Sequence, residues 1–169
     1  LNAPAQRGQP DAAGLRAAWL ELKDIHEFHG LLRRLGVSRT QALALAGEDL
    51  ARSVPDSAFE ALLGSLAKTE LPFMVFVGNP GVIQIHTGPI RNVLARGPWL
   101  NVLDPDFNLH VRTDRIASAW VVHKSTVDGN VTSLELYSGD GEQMALLVGA
   151  RKPGQKENET WRAAVEALR

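Results

Sequence analysis

A chain of 169 residues with 44% hydrophobic and 22% charged content has the composition of one globular domain large enough to bury a core. Its formal net charge of -1 argues against a generally basic nucleic-acid or membrane binder. Zero cysteines exclude disulfides, thiolate metal sites and cysteine nucleophiles, and no apolar run reaches the roughly 18 residues of a bilayer-spanning helix.

The opening L-N-A-P-A-Q-R-G-Q-P lacks both an apolar period and the hydrophobic stretch of a signal peptide. It reads as a mobile linker over residues 1–11, joining a domain over 12–169 to the rest of a longer protein. Leu15, Ala18, Trp19 and Leu22 predict an amphipathic helix from Asp11 to about Leu22. A second helix is predicted to begin at Asp24, with Glu27 as the other half of a capping box. Ile25, Phe28, Leu32 and Leu35 form its apolar stripe, and Gly36 stops it. Ser38 and Gln41 form another capping box, opening a short helix through Ala46. A fourth helix runs from Pro55 or Ser57 to Lys68, burying Phe59, Leu62, Leu63 and Leu66. The first seventy residues are thus expected to be helical.

At Leu71 the pattern changes. F-M-V-F-V-G and V-I-Q-I-H-T-G, joined by N-P-G, predict a hairpin. Further strands are expected at Ile90–Ala95, Trp99–Leu103, Phe107–Arg112, Ser118–Lys124, Asn130–Tyr137 and Gln143–Val148, with turn residues between them. Closely spaced strands without intervening helices imply an antiparallel meander. A helix returns at Glu157–Leu168. The fold class is α+β: helices first, a large antiparallel sheet, then a terminal helix.

His26 and His29 lie three residues apart at the start of the second helix, on one side of it. H-E-F-H is not the H-E-x-x-H of zinc peptidases, whose histidines are four apart. A pair at this spacing is more often surface or structural than ligating. Position favours ligation, since a helix start disfavours imidazolium and a neutral ring coordinates metal. His26 could therefore supply one axial nitrogen to a metal held by another scaffold, such as haem iron. His86, His110 and His123 fit partly exposed sheet positions. No nucleophile elbow, P-loop or dinucleotide fingerprint occurs. Asp104 and Asp106 in D-P-D are explained by turn formation.

Four blocks carry a resemblance: L-P-F-M-V-F-V-G-N-P-G, V-I-Q-I-H-T-G-P-I, G-P-W-L-N-V-L-D-P-D-F-N-L-H and I-A-S-A-W-V-V-H-K-S-T-V-D-G-N-V-T-S-L-E-L-Y. Together they resemble the haemin-degrading/haem-trafficking HemS-type family over about Asp24 to Trp161. The resemblance implies a cytoplasmic protein of bacterial haem uptake, built as a tandem repeat of two α+β halves, of which this sequence looks like the C-terminal one. The family's axial-histidine motif falls on D-I-H-E-F, which assigns His26 to the iron of haem (iron protoporphyrin IX). Family pocket positions fall on Arg39, Phe76, Lys124 and Arg151, where cations suit the propionates and Phe suits the macrocycle. Leu146, Leu147 and Val148 stand where relatives often carry glutamine and tyrosine, and His29 stands where many have phenylalanine. His29 is accordingly a candidate alternate ligand. The implied function is a carrier that delivers haem to a haem-oxygenase-type acceptor, the alternative being an enzyme that opens the porphyrin itself. Implied partners are haem, the missing N-terminal half and a homo-oligomer; membranes and nucleic acid are not indicated.

Overall fold

The computed structural model describes residues 11–169. Apart from Asp11, the expected linker lies outside them. Asp11 caps helix α1 (Ala12–Leu20), its side chain accepting from the Ala13 N–H. Helix α2 spans Glu27–Leu35 and turns its Phe28, Leu31 and Leu32 inward. Gly36 ends it in the left-handed conformation at φ 66°, which glycine adopts without cost. Both halves of the Ser38–Gln41 capping box form at the start of α3 (Arg39–Leu45). Helix α4 (Ser57–Thr69) buries Phe59, Leu62, Leu63 and Leu66 as their spacing predicts.

Two expectations for this region need correction. The second helix begins at Glu27, three residues later than the sequence suggested, because Asp24 binds the His26 N–H in a local turn. The first seventy residues also include a strand, β1 (Ala51–Val54), too short to show a period.

The remaining strands are β2 (Phe73–Asn79), β3 (Val82–Gly88), β4 (Val93–Arg96), β5 (Trp99–Leu103), β6 (Asn108–Arg112), β7 (Ser118–Thr126), β8 (Gly129–Tyr137) and β9 (Gln143–Gly149), followed by helix α5 (Glu159–Glu166). They form two antiparallel sheets. One is six-stranded, in the order β1-β7-β8-β9-β2-β3; the other contains β4-β5-β6. Gly88 and Pro89 separate them, since proline has no N–H with which to extend the ladder. Ile90 is fully buried rather than part of a strand, and the buried Asp104 carboxylate accepts from the N–H groups of Arg91 and Asn92, so β4 starts only at Val93. Asp104 is thus an anchor for this connection, beyond the turn role read from D-P-D.

Period-two alternation gives the six-stranded sheet two faces. Phe73, Val75, Val121, Leu134, Leu136, Ala145 and Leu147 point to one side, where α4, α5 and the small sheet cover them. Gly149 lets β9 approach α5 closely; a Cβ there would stand 2.8 Å from the Trp161 ring. The other face meets α1, α2 and α3 through Val122 and Tyr137. Trp19 is central to this second layer. Its indole packs edge-on to Phe28 at 4.5 Å between centroids and donates to the His123 carbonyl at 2.9 Å. Among the described residues no helix is long and apolar enough to cross a membrane. Replacing Trp19 by Ala is expected to cost about 3–5 kcal/mol, through an indole-sized cavity and an unpartnered carbonyl, read as a lower urea midpoint.

Candidate functional site

The three N-terminal helices cover β1, β7 and part of β8, leaving the far end of the same sheet face open. That uncovered area is the floor of a cleft. Phe76 on β2, Ile83 on β3, Leu146 and Val148 on β9, and Val131 on β8 line it, with Ile25 and His26 at the helical edge. The cleft has two lobes, which strand periodicity does not reveal. One, of about 290 Å³, reaches His29, Arg39, Lys124, Ser133 and Gln143. The other, of about 400 Å³, reaches Asp24, Met74, Asp128 and Arg151. Ile25, His26, Phe76, Val131 and Val148 border both. All six sequence-predicted site residues therefore converge on one cleft from four separate parts of the chain.

His26 stands at the cleft edge with 86% of its side chain exposed. Its position is fixed from below. The Lys23 carbonyl accepts from the Val127 N–H at the β7–β8 turn, and the Lys23 N–H donates to Glu27. Asp24 Oδ1 accepts from the His26 backbone N–H at 2.8 Å and lies 2.6 Å from its Nδ1. The His26 backbone N–H first, then its ring, hold the Asp24 carboxyl below the usual carboxylate range. An ionised carboxylate cannot donate, so Nδ1 is the donor in this bond, and in the neutral ring Nε2 is then the nitrogen with the lone pair. This is the arrangement by which a carboxylate orients a metal-ligating imidazole. His26 occupies the N-cap position instead of the expected second helical position, and Asp24, more than the helix start, sets its tautomer.

On β8, Glu135 is fully buried beneath the first lobe. Lys124 Nζ lies 2.9 Å from its Oε1, and Arg39 Nη1 3.8 Å from its Oε2. Ser133 donates to Oε1 at 3.1 Å, and Tyr137 and Gln143 donate to Oε2. Burial alone would raise the Glu135 carboxyl, but the charges of Lys124 and Arg39 outweigh it and hold it at about 2. Burial, then the neighbouring carboxylate, pushes the Tyr137 hydroxyl far up, so it remains a donor. Both cations also lie over the Phe28 ring, at 4.6 Å for Lys124 and 5.3 Å for Arg39.

Arg151 borders the second lobe beside Asp24, and among the described residues its guanidinium reaches only the Gln155 carbonyl, at 3.4 Å. The other histidines have structural partners. His86 stacks on Phe107, His110 pairs with Asn101 at 2.8 Å, and His123 meets Glu166 at 3.0 Å. Sequence reasoning missed Glu135 and the orienting role of Asp24. Alternation in T-S-L-E-L-Y could have shown that Glu135 shares a face with Ser133 and Tyr137. Among the described residues no three His, Asp or Glu side chains gather as a metal-ion site. An isolated imidazole suits a metal that brings most of its own ligands.

Residues 36–168 match the haemin-degrading HemS.ChuX domain family, to which this chain belongs. The hemin transport protein HmuS of Yersinia pestis is 40% identical over 158 residues, 94% of this chain and 46% of that protein. Apo-PhuS, a heme-binding protein from Pseudomonas aeruginosa, superposes with a TM-score of 0.96 at 48% identity, over 100% of this chain and 50% of that one. The heme degrading enzyme ChuS of Escherichia coli O157:H7 gives 0.92 at 41% identity, over 99% and 50%. The chain thus spans about half the length of these relatives. Arg39, Phe76, Lys124 and Arg151 lie within the family match, whereas His26 and His29 precede it.

The Glu135 cluster carries a pH signature. Its folded carboxyl sits near 2 against about 4.3 when unfolded, so its stabilisation is complete above roughly pH 4.3 and is lost as pH falls through about 2. Glu135→Gln should flatten the stability–pH curve in that window and, by leaving Lys124 buried without a counter-ion, cost about 3–5 kcal/mol at neutral pH in urea titrations.

Proposed function

We propose that this chain binds haem through His26 Nε2 and acts as a carrier, passing haem to a haem-degrading acceptor of the oxygenase type. The observation that carries this reading is the Asp24–His26 pair at the edge of an apolar cleft, 2.6 Å between Oδ1 and Nδ1. An orienting carboxylate, one free imidazole nitrogen, an apolar floor and cations in both lobes suit a flat iron chelate bearing two carboxylates. Phe76, Leu146 and Val148 offer the macrocycle an apolar surface, which accommodates the leucine and valine that stand where relatives often have polar residues. Arg39 and Lys124 would receive a propionate in one lobe and Arg151 in the other. His29, on the same side of α2, is the alternate iron ligand used while haem is exchanged. The chain would be the C-terminal one of two such units in a cytoplasmic protein about twice its length, with its domain over residues 12–169.

The relative named as a heme degrading enzyme favours a second reading, in which this chain opens the porphyrin itself. The apolar floor of Phe76, Leu146 and Val148, shaped to seat a flat macrocycle, supports the carrier. Incubating the haem-loaded chain with ascorbate and oxygen, with catalase present, separates the two. The carrier keeps its Soret band, whereas stoichiometric conversion to a defined bilin in one turnover would establish the enzyme.

Haem titrations test the ligand assignment. His26→Ala should alter the ferric spectrum and weaken binding, and Asp24→Ala should weaken it by about tenfold through loss of ring orientation. His29→Ala alone should leave the resting spectrum unchanged, while the double variant His26→Ala/His29→Ala should lose histidine ligation. Unchanged low-spin spectra in that double variant would contradict both assignments.

A further inference from the structure

Lys124 borders the cleft yet exposes only 6% of its surface. Its ammonium is turned into the protein, onto Glu135 and the Phe28 ring. Arg39 reaches the same carboxylate from the start of α3. The two cations expected to hold a haem propionate are therefore already engaged from beneath the floor by an anion with no exposed surface. Two positive charges against one negative leave a net of one positive charge to meet a ligand carboxylate.

Stability alone does not call for a carboxylate in this place, although Glu135 is needed once Lys124 and Arg39 are there. Removing Glu135, Lys124 and Arg39 from water is costly, and a buried ion pair commonly stabilises no better than apolar residues of the same volume. The carboxylate does hold both cations in one orientation, and it competes for their N–H donors with any anion above them. Its own oxygens are further tempered by neutral donors from Ser133, Tyr137 and Gln143.

We infer that Glu135 is an internal competitor for the haem carboxylate: Lys124 and Arg39 are shared between Glu135 and a bound propionate, and this sharing loosens the cleft's grip so that haem can be handed on. The inference rests on the haem reading given above. Glu135 touches no ligand; it acts through the two cations.

Two variants and two ligands test it. The ligands are ferric haem and ferric haem with both propionates esterified, titrated into the wild-type chain, Glu135→Gln and Tyr137→Phe. Glu135→Gln frees the cations and should bind free-acid haem on the order of tenfold more tightly, with little change for the ester. Tyr137→Phe removes a neutral donor from Glu135, strengthens its hold on the cations, and should weaken free-acid binding by about twofold to threefold, again sparing the ester. A purely structural role predicts weaker binding of both ligands in both variants. Glu135→Gln binding free-acid haem no more tightly than wild type, or gaining equally for both ligands, overturns the inference. Should Glu135→Gln fail to fold, Tyr137→Phe decides: selective weakening supports the competitor, and unchanged or tighter binding overturns it. If wild type binds free-acid haem through His26 without the Glu135→Gln gain, only the inference fails. If wild type does not bind haem, the haem reading fails and the inference with it.

Discussion

An apolar sheet face has to be covered, and this chain supplies helices for only part of one. On the side of α4 and α5, Phe73, Val75, Val121, Leu134, Leu136, Ala145 and Leu147 are all buried. On the other, α1, α2 and α3 stop over β8, and Phe76, Ile83, Leu146 and Val148 are left beside open space. The cleft is a consequence of that shortfall. Where the helical layer ends, the α1–α2 connection crosses the edge of the opening and brings Asp24 and His26 with it.

Electrostatics then divide the cleft into parts with different tasks. At the edge, an exposed carboxylate orients an exposed imidazole and leaves one nitrogen free. Beneath the first lobe, a buried carboxylate gathers two cations and three neutral donors. The exposed pair does little for stability, because solvent screens it; its value lies in geometry. The buried cluster is expensive to assemble and depends on β7 and β8 presenting Lys124 and Glu135 on the same sheet face, where Lys124, paired with Val131, reaches along the strands to the carboxylate. Binding strength and release can thus be set by different residues, Asp24 through the ring and Glu135 through the cations.

Legibility in the sequence followed the length scale of the interaction. Helices with a long apolar stripe or a two-residue cap signal, such as α4 and α3, were plain, as was the β2–β3 hairpin with its N-P-G turn. β1 was hidden because four residues show no period and its partner β7 lies some seventy residues away. The division into two sheets was hidden as well, because strand periodicity says nothing of which strands pair. His26, Arg39, Phe76, Lys124 and Arg151 were named by resemblance, and the structure gathers them at one cleft. Asp24 was misread as a helix cap because a capping box and a turn that binds its own i+2 N–H share the same residues. Glu135 sat unnoticed in T-S-L-E-L-Y, since its importance depends on two cations remote in sequence.

In the proposed function, His26 Nε2 ligates the iron of a haem seated on the open half of the sheet. A crystal structure of the chain with ferric haem tests it most directly. The expected structure has iron bonded to His26 Nε2, Asp24 still on Nδ1, and the macrocycle against Phe76, Leu146 and Val148 with a propionate near Arg39 and Lys124. Iron ligated by a residue outside α2 and its leading turn, or haem lying away from this sheet face, would contradict it.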